Sequence, residues 1–167
     1  MIKAYLNSYQ QFIVSYSETI NPVGYEQLPT FFAGLSEEIF ELFDELHRFE
    51  SDKIAVESGD VLAYMSLVLH LYGVELGDLV SVDGELEEHN LLLAALAVMG
   101  TLKRLSRSND GEKQVGDLVL ACASLMTVIE NINLYYTELD LKAILDCNMN
   151  KLEARRSKGT QKGSGER

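Results

Sequence analysis

Glu38-x-x-Glu41 and Glu57-x-x-Asp60 are two carboxylate pairs, each at i, i+3 spacing. On a helix, that spacing puts both side chains on one flank, about one turn apart. Between the pairs lies the polar stretch Glu50-Ser51-Asp52, short enough for an antiparallel helix hairpin in which four acids converge on one seam. Mutual repulsion opposes that convergence unless a cation sits among the oxygens, and all-oxygen ligation suits Mg²⁺ or Mn²⁺. From Glu37 to Asp60 nine acids stand against two bases, Arg48 and Lys53, so the segment cannot neutralise itself. Taken singly, each glutamate is more simply a solvated acid salt-bridged to Arg48 or Lys53. Taken together, two pairs flanking apolar stripes on consecutive helices favour a site. Glu37, Asp44, Glu50 and Asp52 read mainly as solvent-facing charge.

The elements that must position these acids follow from apolar periodicity. At about 100° per residue, Phe32, Leu35, Ile39, Leu42, Phe43 and Leu46 form one helical stripe, with Glu38 and Glu41 on its edge and Glu45 on the same flank. Ile54, Val61, Met65, Val68 and Tyr72 form another, with Glu57 inside it and Asp60 on its edge. An unpartnered carboxylate in such a stripe costs several kcal/mol or takes up a proton. The sequence predicts an all-α bundle of five to six helices. The first spans Lys3 to Ile20 and is broken at Asn21-Pro22-Val23-Gly24. The second runs from Pro29-Thr30, with threonine as cap, to about Phe49. A third covers Asp52 to Tyr72 and stops at Gly73. Val74 to Val82 has room for one short helix, and a fourth spans Gly84 to Arg107, followed by a turn at Ser108-Asn109-Asp110-Gly111. A fifth runs from Glu112 to about Tyr135, and a sixth, capped by Thr137, ends near Arg156. Residues 1–156 read as one domain and 157–167 as a disordered tail.

A chain of 167 residues, 47% hydrophobic and 24% charged, is long and apolar enough for one packed core and is not disordered throughout. Its formal net charge of −12 argues against a nucleic-acid polymer or an anionic membrane as partner. A nucleotide already complexed with a divalent cation is not excluded. Cys122 and Cys147 are expected to be reduced, buried thiols. No basic stretch leads into a long apolar run at the N-terminus, and Leu91 to Met99 is too short to span a bilayer, so a cytoplasmic location is the default expectation. His47, His70 and His89 lack ligand-like spacing, and no P-loop glycine pattern occurs. Leu91, Leu92, Leu93 and Leu96 put apolar surface on more than one helix face, so a homo-oligomer, with a dimer favoured, is expected.

Glu37-Glu38-Ile39-Phe40-Glu41-Leu42, then Glu57-Ser58-Gly59-Asp60-Val61-Leu62-Ala63-Tyr64, resembles the E-x-x-E…E-x-x-D signature of the MazG-type all-α nucleoside triphosphate pyrophosphohydrolases. Asn148-Met149-Asn150-Lys151-Leu152-Glu153-Ala154-Arg155 is similar to that family's closing helix, N-x-x-K-L-x-x-R. The chain departs from minimal members by its length. Gln114-Val115-Gly116-Asp117-Leu118-Val119 echoes Glu57 to Leu62, with Ala97 and Gly100 standing where Glu38 and Glu41 would be. Residues 91–156 thus read as a degenerate second repeat of the helix hairpin, chance similarity between two amphipathic pairs being the alternative. In the repeat, Asp117 alone should hold no metal. Tandem copies with one degenerate site are similar to the all-α dimeric dUTPases.

The resemblance implies cleavage of a nucleoside triphosphate between its α and β phosphates, giving a monophosphate and pyrophosphate. It implies Glu38, Glu41, Glu57 and Asp60 as ligands of Mg²⁺, with Mn²⁺ as substitute, and Glu37, Glu38 or Glu41 as proton acceptor. Asn148, Lys151 and Arg155 would meet the phosphates, and helix C-terminal charge is the other account of Lys151 and Arg155. The base would sit between helices near the first helix and the Asn21–Leu28 loop, where Gln10, Gln11, Tyr16 and Tyr25 are candidate contacts or else core. A dUTPase and a phosphoribosyl-ATP pyrophosphatase share the scaffold and stay open. A catalytically silent interaction or regulatory protein is the reading from another class.

Overall fold

Long segments free of proline, with apolar residues recurring at helical spacing, leave the backbone one low-cost way to satisfy its polar groups. The computed structural model describes residues 2–79, 90–105 and 111–160. They form helices α1 (Ile2–Glu18), α2 (Leu28–Arg48), α3 (Ser51–Leu71), α4 (Asn90–Leu105), α5 (Gly111–Tyr136) and α6 (Leu141–Ser157). Single 3₁₀ turns at Tyr25–Gln27 and Leu76–Asp78 complete the set, and no strand occurs among the described residues. The fold is the all-α bundle that the periodicity predicts. The expected turn at residues 108–111 lies mostly outside the described residues, as do the start of the fourth helix and the tail from residue 161 onward.

Two helix starts differ from expectation. Thr30 lies inside α2, because the Tyr25–Gln27 turn runs directly into the helix with Gln27 already in αR geometry and Pro29 in the first turn. α6 is capped by Asp140, whose carboxylate accepts from the Ala143 N–H at 2.8 Å. Thr137 instead bonds back to the Asn133 carbonyl at 2.7 Å and closes α5. Between α2 and α3 the chain reverses at Phe49, a non-glycine residue in the left-handed region (φ 58) whose N–H reaches the Glu45 and Leu46 carbonyls. Gly73 (φ 69) ends α3 as the sequence predicts.

α2 and α3 form one antiparallel hairpin and α4 and α5 a second, joined where α3 meets α5 and α2 meets α4. α1 and α6 pack on α3, which becomes the central helix. Ile54, Val61, Leu62, Met65, Val68 and Leu69 are all fully buried in it. Contrary to the expectation that Leu91–Met99 is the most apolar stretch, α3 and residues 114–136 of α5 are long and apolar enough to cross a bilayer by length and composition. In the bundle 67% and 56% of these two stretches are buried, and a helix buried among others is apolar on more than one face. On α2 the stripe is rotated from the expected one. Phe31 and Gly34 are buried, and Phe43 is 39% exposed. Cys122 is buried, with burial pushing its thiol up to about 12, whereas Cys147 is exposed, contrary to expectation; both are free. The exposed side of α4 carries Leu92, Leu93 and Leu96.

The α3–α6 crossing depends on Gly59. A Cβ there would lie 2.8 Å from the Asn148 Cβ, near the start of a side chain that cannot swing away. Overpacking of this kind costs about 1–3 kcal/mol. Gly59→Ala is expected to lower the melting temperature by about 3–10 °C, measured by circular dichroism. An unchanged Tm would mean the helices approach less closely than described.

Candidate functional site

Hairpin closure brings carboxylate oxygens of Glu38 and Glu41 from α2 and Glu57 from α3 within 4.8 Å of one another. It is the only such group of three or more potential ligands among the described residues. Glu38 and Glu57 are half-buried at the hairpin seam. Burial, then the charges of Asp60, Glu57 and Glu41, and a hydrogen bond to Glu57 push the Glu38 carboxyl up to about 8. Burial and the Asp60 and Glu41 charges raise Glu57 too, while Lys151 and the bond from Glu38 oppose the rise. Close carboxylates whose charged forms are disfavoured in this way mark a place where added positive charge is stabilising. The donor set is all oxygen, which fits a hard divalent cation.

Asp60 stands beside this group rather than in it. Its Oδ1 accepts from the Asn148 Nδ2 at 2.7 Å, and its Oδ2 is paired with Lys151. Asn148 is buried, and its Oδ1 accepts from the Tyr9 hydroxyl at 2.9 Å. That hydroxyl is also 3.3 Å from the Gly59 carbonyl. A buried relay, Tyr9 to Asn148 to Asp60, therefore ties α1, α6 and α3 at the foot of the site. Asn148 and Lys151, expected at the phosphates, are here engaged with Asp60. The physical reason is the tight crossing at Gly59, which seats Asn148 in the core.

Next to Glu38 and Asp60 opens a cleft of about 260 Å³ between α1, α2, α3 and α6, extending to Asn21 and Pro22. Ile13, Tyr16, Phe31 and Leu67 supply apolar wall, and Tyr64 and Arg155 line the cleft together with Glu38 and Asp60. Arg155 is exposed and lines this cleft. Of the proposed base contacts, Tyr16 lines the cleft, but Gln10, Gln11 and Tyr25 do not. Gln10 is buried as a structural pin, donating to the Ser66 and Val74 carbonyls at 3.1 and 3.0 Å and accepting from the Leu76 N–H at 2.8 Å. Tyr25 packs edge-on against Tyr72. Glu37 is exposed and lies outside the three-carboxylate group.

Sequence reasoning missed two participants. Tyr9 sits on the apolar face of α1, where a tyrosine reads as core, and only its long-range bond to Asn148 shows its part. Tyr64 stands in the Glu57–Tyr64 segment with no role assigned to it; its spacing from Asp60, one turn along the same face, is the signal that places it beside the acids.

Comparison of the chain with protein-family models, with curated proteins and with solved structures returns no match. Residue geometry is therefore what bears on function.

The raised Glu38 carboxyl has a consequence for stability. A group whose pKa is higher in the folded chain contributes stability that is fully present below its unfolded value, here 4.5, and lost as pH rises through about 8. In EDTA the Tm is expected to fall by several degrees between pH 5 and pH 8, and Glu38→Gln to flatten that slope. A slope left unchanged by Glu38→Gln would show that the seam does not hold the proton.

Proposed function

We propose that the chain is a Mg²⁺-dependent nucleoside triphosphate pyrophosphohydrolase of the MazG type, accepting Mn²⁺ as substitute. The observation that carries this reading is the gathering of Glu38, Glu41 and Glu57 oxygens within 4.8 Å of one another, beside a cleft with Arg155 at its edge. The sequence motifs E-x-x-E, E-x-x-D and N-x-x-K-L-x-x-R support it. Glu38, Glu41 and Glu57 would hold the cation, with Asp60 joining them if Lys151 turns from it toward a phosphate. A divalent cation bound there supplies charge neutralisation for the phosphate oxygens and Lewis-acid polarisation.

The chain's own residues do the rest. Arg155 offers a forked donor set to phosphate oxygens. Asn148, held by Tyr9, fixes Asp60 and so the spacing between the acids and α6. The apolar cleft walls exclude water from one side of the ligand and hold a planar base. Water attacks the α phosphorus, the bond from that phosphorus to the α–β bridging oxygen breaks, and pyrophosphate leaves with the electron pair. A carboxylate of α2 takes the proton from the attacking water, with Glu37, Glu38 and Glu41 as the candidates. A homodimer that covers Leu92, Leu93 and Leu96 belongs to the same proposal, and sedimentation at micromolar concentration tests it separately.

Purified protein with Mg²⁺ and a panel of ribo- and deoxyribonucleoside triphosphates is expected to release pyrophosphate and the matching monophosphate from at least one of them. Glu57→Ala should lower kcat/KM by about 10³-fold or more with helicity preserved. Release of orthophosphate instead, or no turnover of any nucleotide with Mg²⁺ or Mn²⁺, rejects the proposal.

A further inference from the structure

One turn of α3, Glu57-Ser58-Gly59-Asp60, meets a different neighbour at each residue. At about 100° per residue, Glu57 and Asp60 sit about 60° apart, and Ser58 and Gly59 lie on the opposite side of the helix. Glu57 faces Glu38 and Glu41 of α2. Asp60 meets Asn148 and Lys151 of α6, and Gly59 is the crossing point with that helix. Ser58 faces α5, where its Oγ accepts from the Asn133 Nδ2 at 2.7 Å. The rotation of this one turn about the α3 axis therefore decides where two of the four acids point.

Ser58 and Asn133 are both fully buried. The same amide nitrogen also donates to the Ile129 carbonyl at 2.9 Å, and the Asn133 Oδ1 is buried with no hydrogen-bond partner among the described residues. A buried acceptor left so carries its full desolvation cost, which an apolar pair of similar shape would avoid. Stability alone therefore does not account for an amide at this position. Nor does contact with a ligand, because α5 lines neither the three-carboxylate group nor the cleft. What the amide supplies is direction: its bond to Ser58 holds α3 from the side opposite the seam, at a fixed angle that apolar packing does not set. A carboxylate about 6 Å from the axis moves about 2 Å when its helix turns by about 20°. Mg²⁺ demands near-ideal octahedral geometry, so a displacement of that size removes a ligand.

We propose that Asn133 is a positioning residue of the cation site, setting the rotation of α3 through Ser58 and so the aim of Glu57 and Asp60. The inference rests on the reading of the α2–α3 seam as a divalent-cation site. It gives the second hairpin, through α5, a part in a site to which that helix adds no ligand.

The test is a double-mutant cycle of Ser58→Ala, Asn133→Leu and the two together, read by Mn²⁺ titration under electron paramagnetic resonance and by thermal melts in EDTA. Each variant is expected to weaken Mn²⁺ binding by about tenfold or more, the scale on which groups behind metal ligands act. The double variant should lose no more than about threefold beyond the weaker-binding single variant, because all three remove the same tie. Apolar on both sides, the double variant should melt within about 3 °C of wild type or above it. A double variant that melts well below wild type overturns the inference whatever the metal does, since stability would then explain the amide. Losses that multiply in the double variant overturn it too, because they mark two independent effects. Mn²⁺ affinity kept by the double variant sinks this inference alone. Absence of Mn²⁺ uptake by wild type sinks the cation reading and this inference with it. Mn²⁺ binding that responds to the three variants as stated, without turnover of any nucleotide, rejects the hydrolase and supports Asn133 in its role.

Discussion

Repulsion among like charges on the facing flanks of α2 and α3 is the constraint around which the molecule is organised. Three carboxylates within 4.8 Å of one another do not gather without an opposing gain, and apolar packing of the hairpin provides it. Leu35, Leu42, Ile54, Val61, Leu62 and Met65 are each fully buried, and each such side chain contributes about 1.5–3 kcal/mol relative to exposure. The hairpin closes for hydrophobic reasons and brings the acids with it. The Glu38 carboxyl, pushed up to about 8 by burial and the neighbouring acids, takes up a proton more readily and so lowers the repulsion that closure creates. A divalent cation would lower it further, and that is the link from packing to function.

The rest of the bundle holds the acids in place rather than adding ligands. α6 delivers Lys151 to Asp60, and the amide of Asn148 is used on both sides, by Asp60 and by Tyr9. A buried amide with both ends satisfied resists rotation, so the α3–α6 crossing has one arrangement. Glu45 illustrates the opposite case. Also buried on α2, it is 3.7 Å from Arg48 and 3.8 Å from Lys53 through one oxygen, and the other has no hydrogen-bond partner. Two bases near the hairpin turn thus serve Glu45, Asp44 and Glu50, and neither reaches the cluster one or more turns away. Local cations are spent at the turn, which leaves the seam short of positive charge.

Much of this was legible in the sequence because it depends on spacing alone. Apolar recurrence fixed the helices, and i, i+3 acids on the edge of two stripes foretold which flank faces which. Glu38, Glu41 and Glu57 came together for that reason. What spacing could not show was contact between distant helices. The family resemblance assigns Asn148, Lys151 and Arg155 one role, at the phosphates. The glycine-mediated crossing at Gly59 then separates them, seating Asn148 in the core and Lys151 on Asp60 and leaving Arg155 at the cleft. Gln10 misled for a similar reason, since a polar residue on an apolar face is as suited to pinning a loop as to meeting a ligand. The caps failed where a stronger competitor stood nearby, Asp140 in place of Thr137 for α6.

The central claim is that the α2–α3 seam is a cation site, and manganese binding measured by electron paramagnetic resonance tests it most directly. Titration of Mn²⁺ into the purified chain at neutral pH should show saturable uptake that Mg²⁺ displaces, and Glu57→Ala should abolish it. Absence of uptake at millimolar Mn²⁺, or uptake that Glu57→Ala leaves intact, would contradict the account.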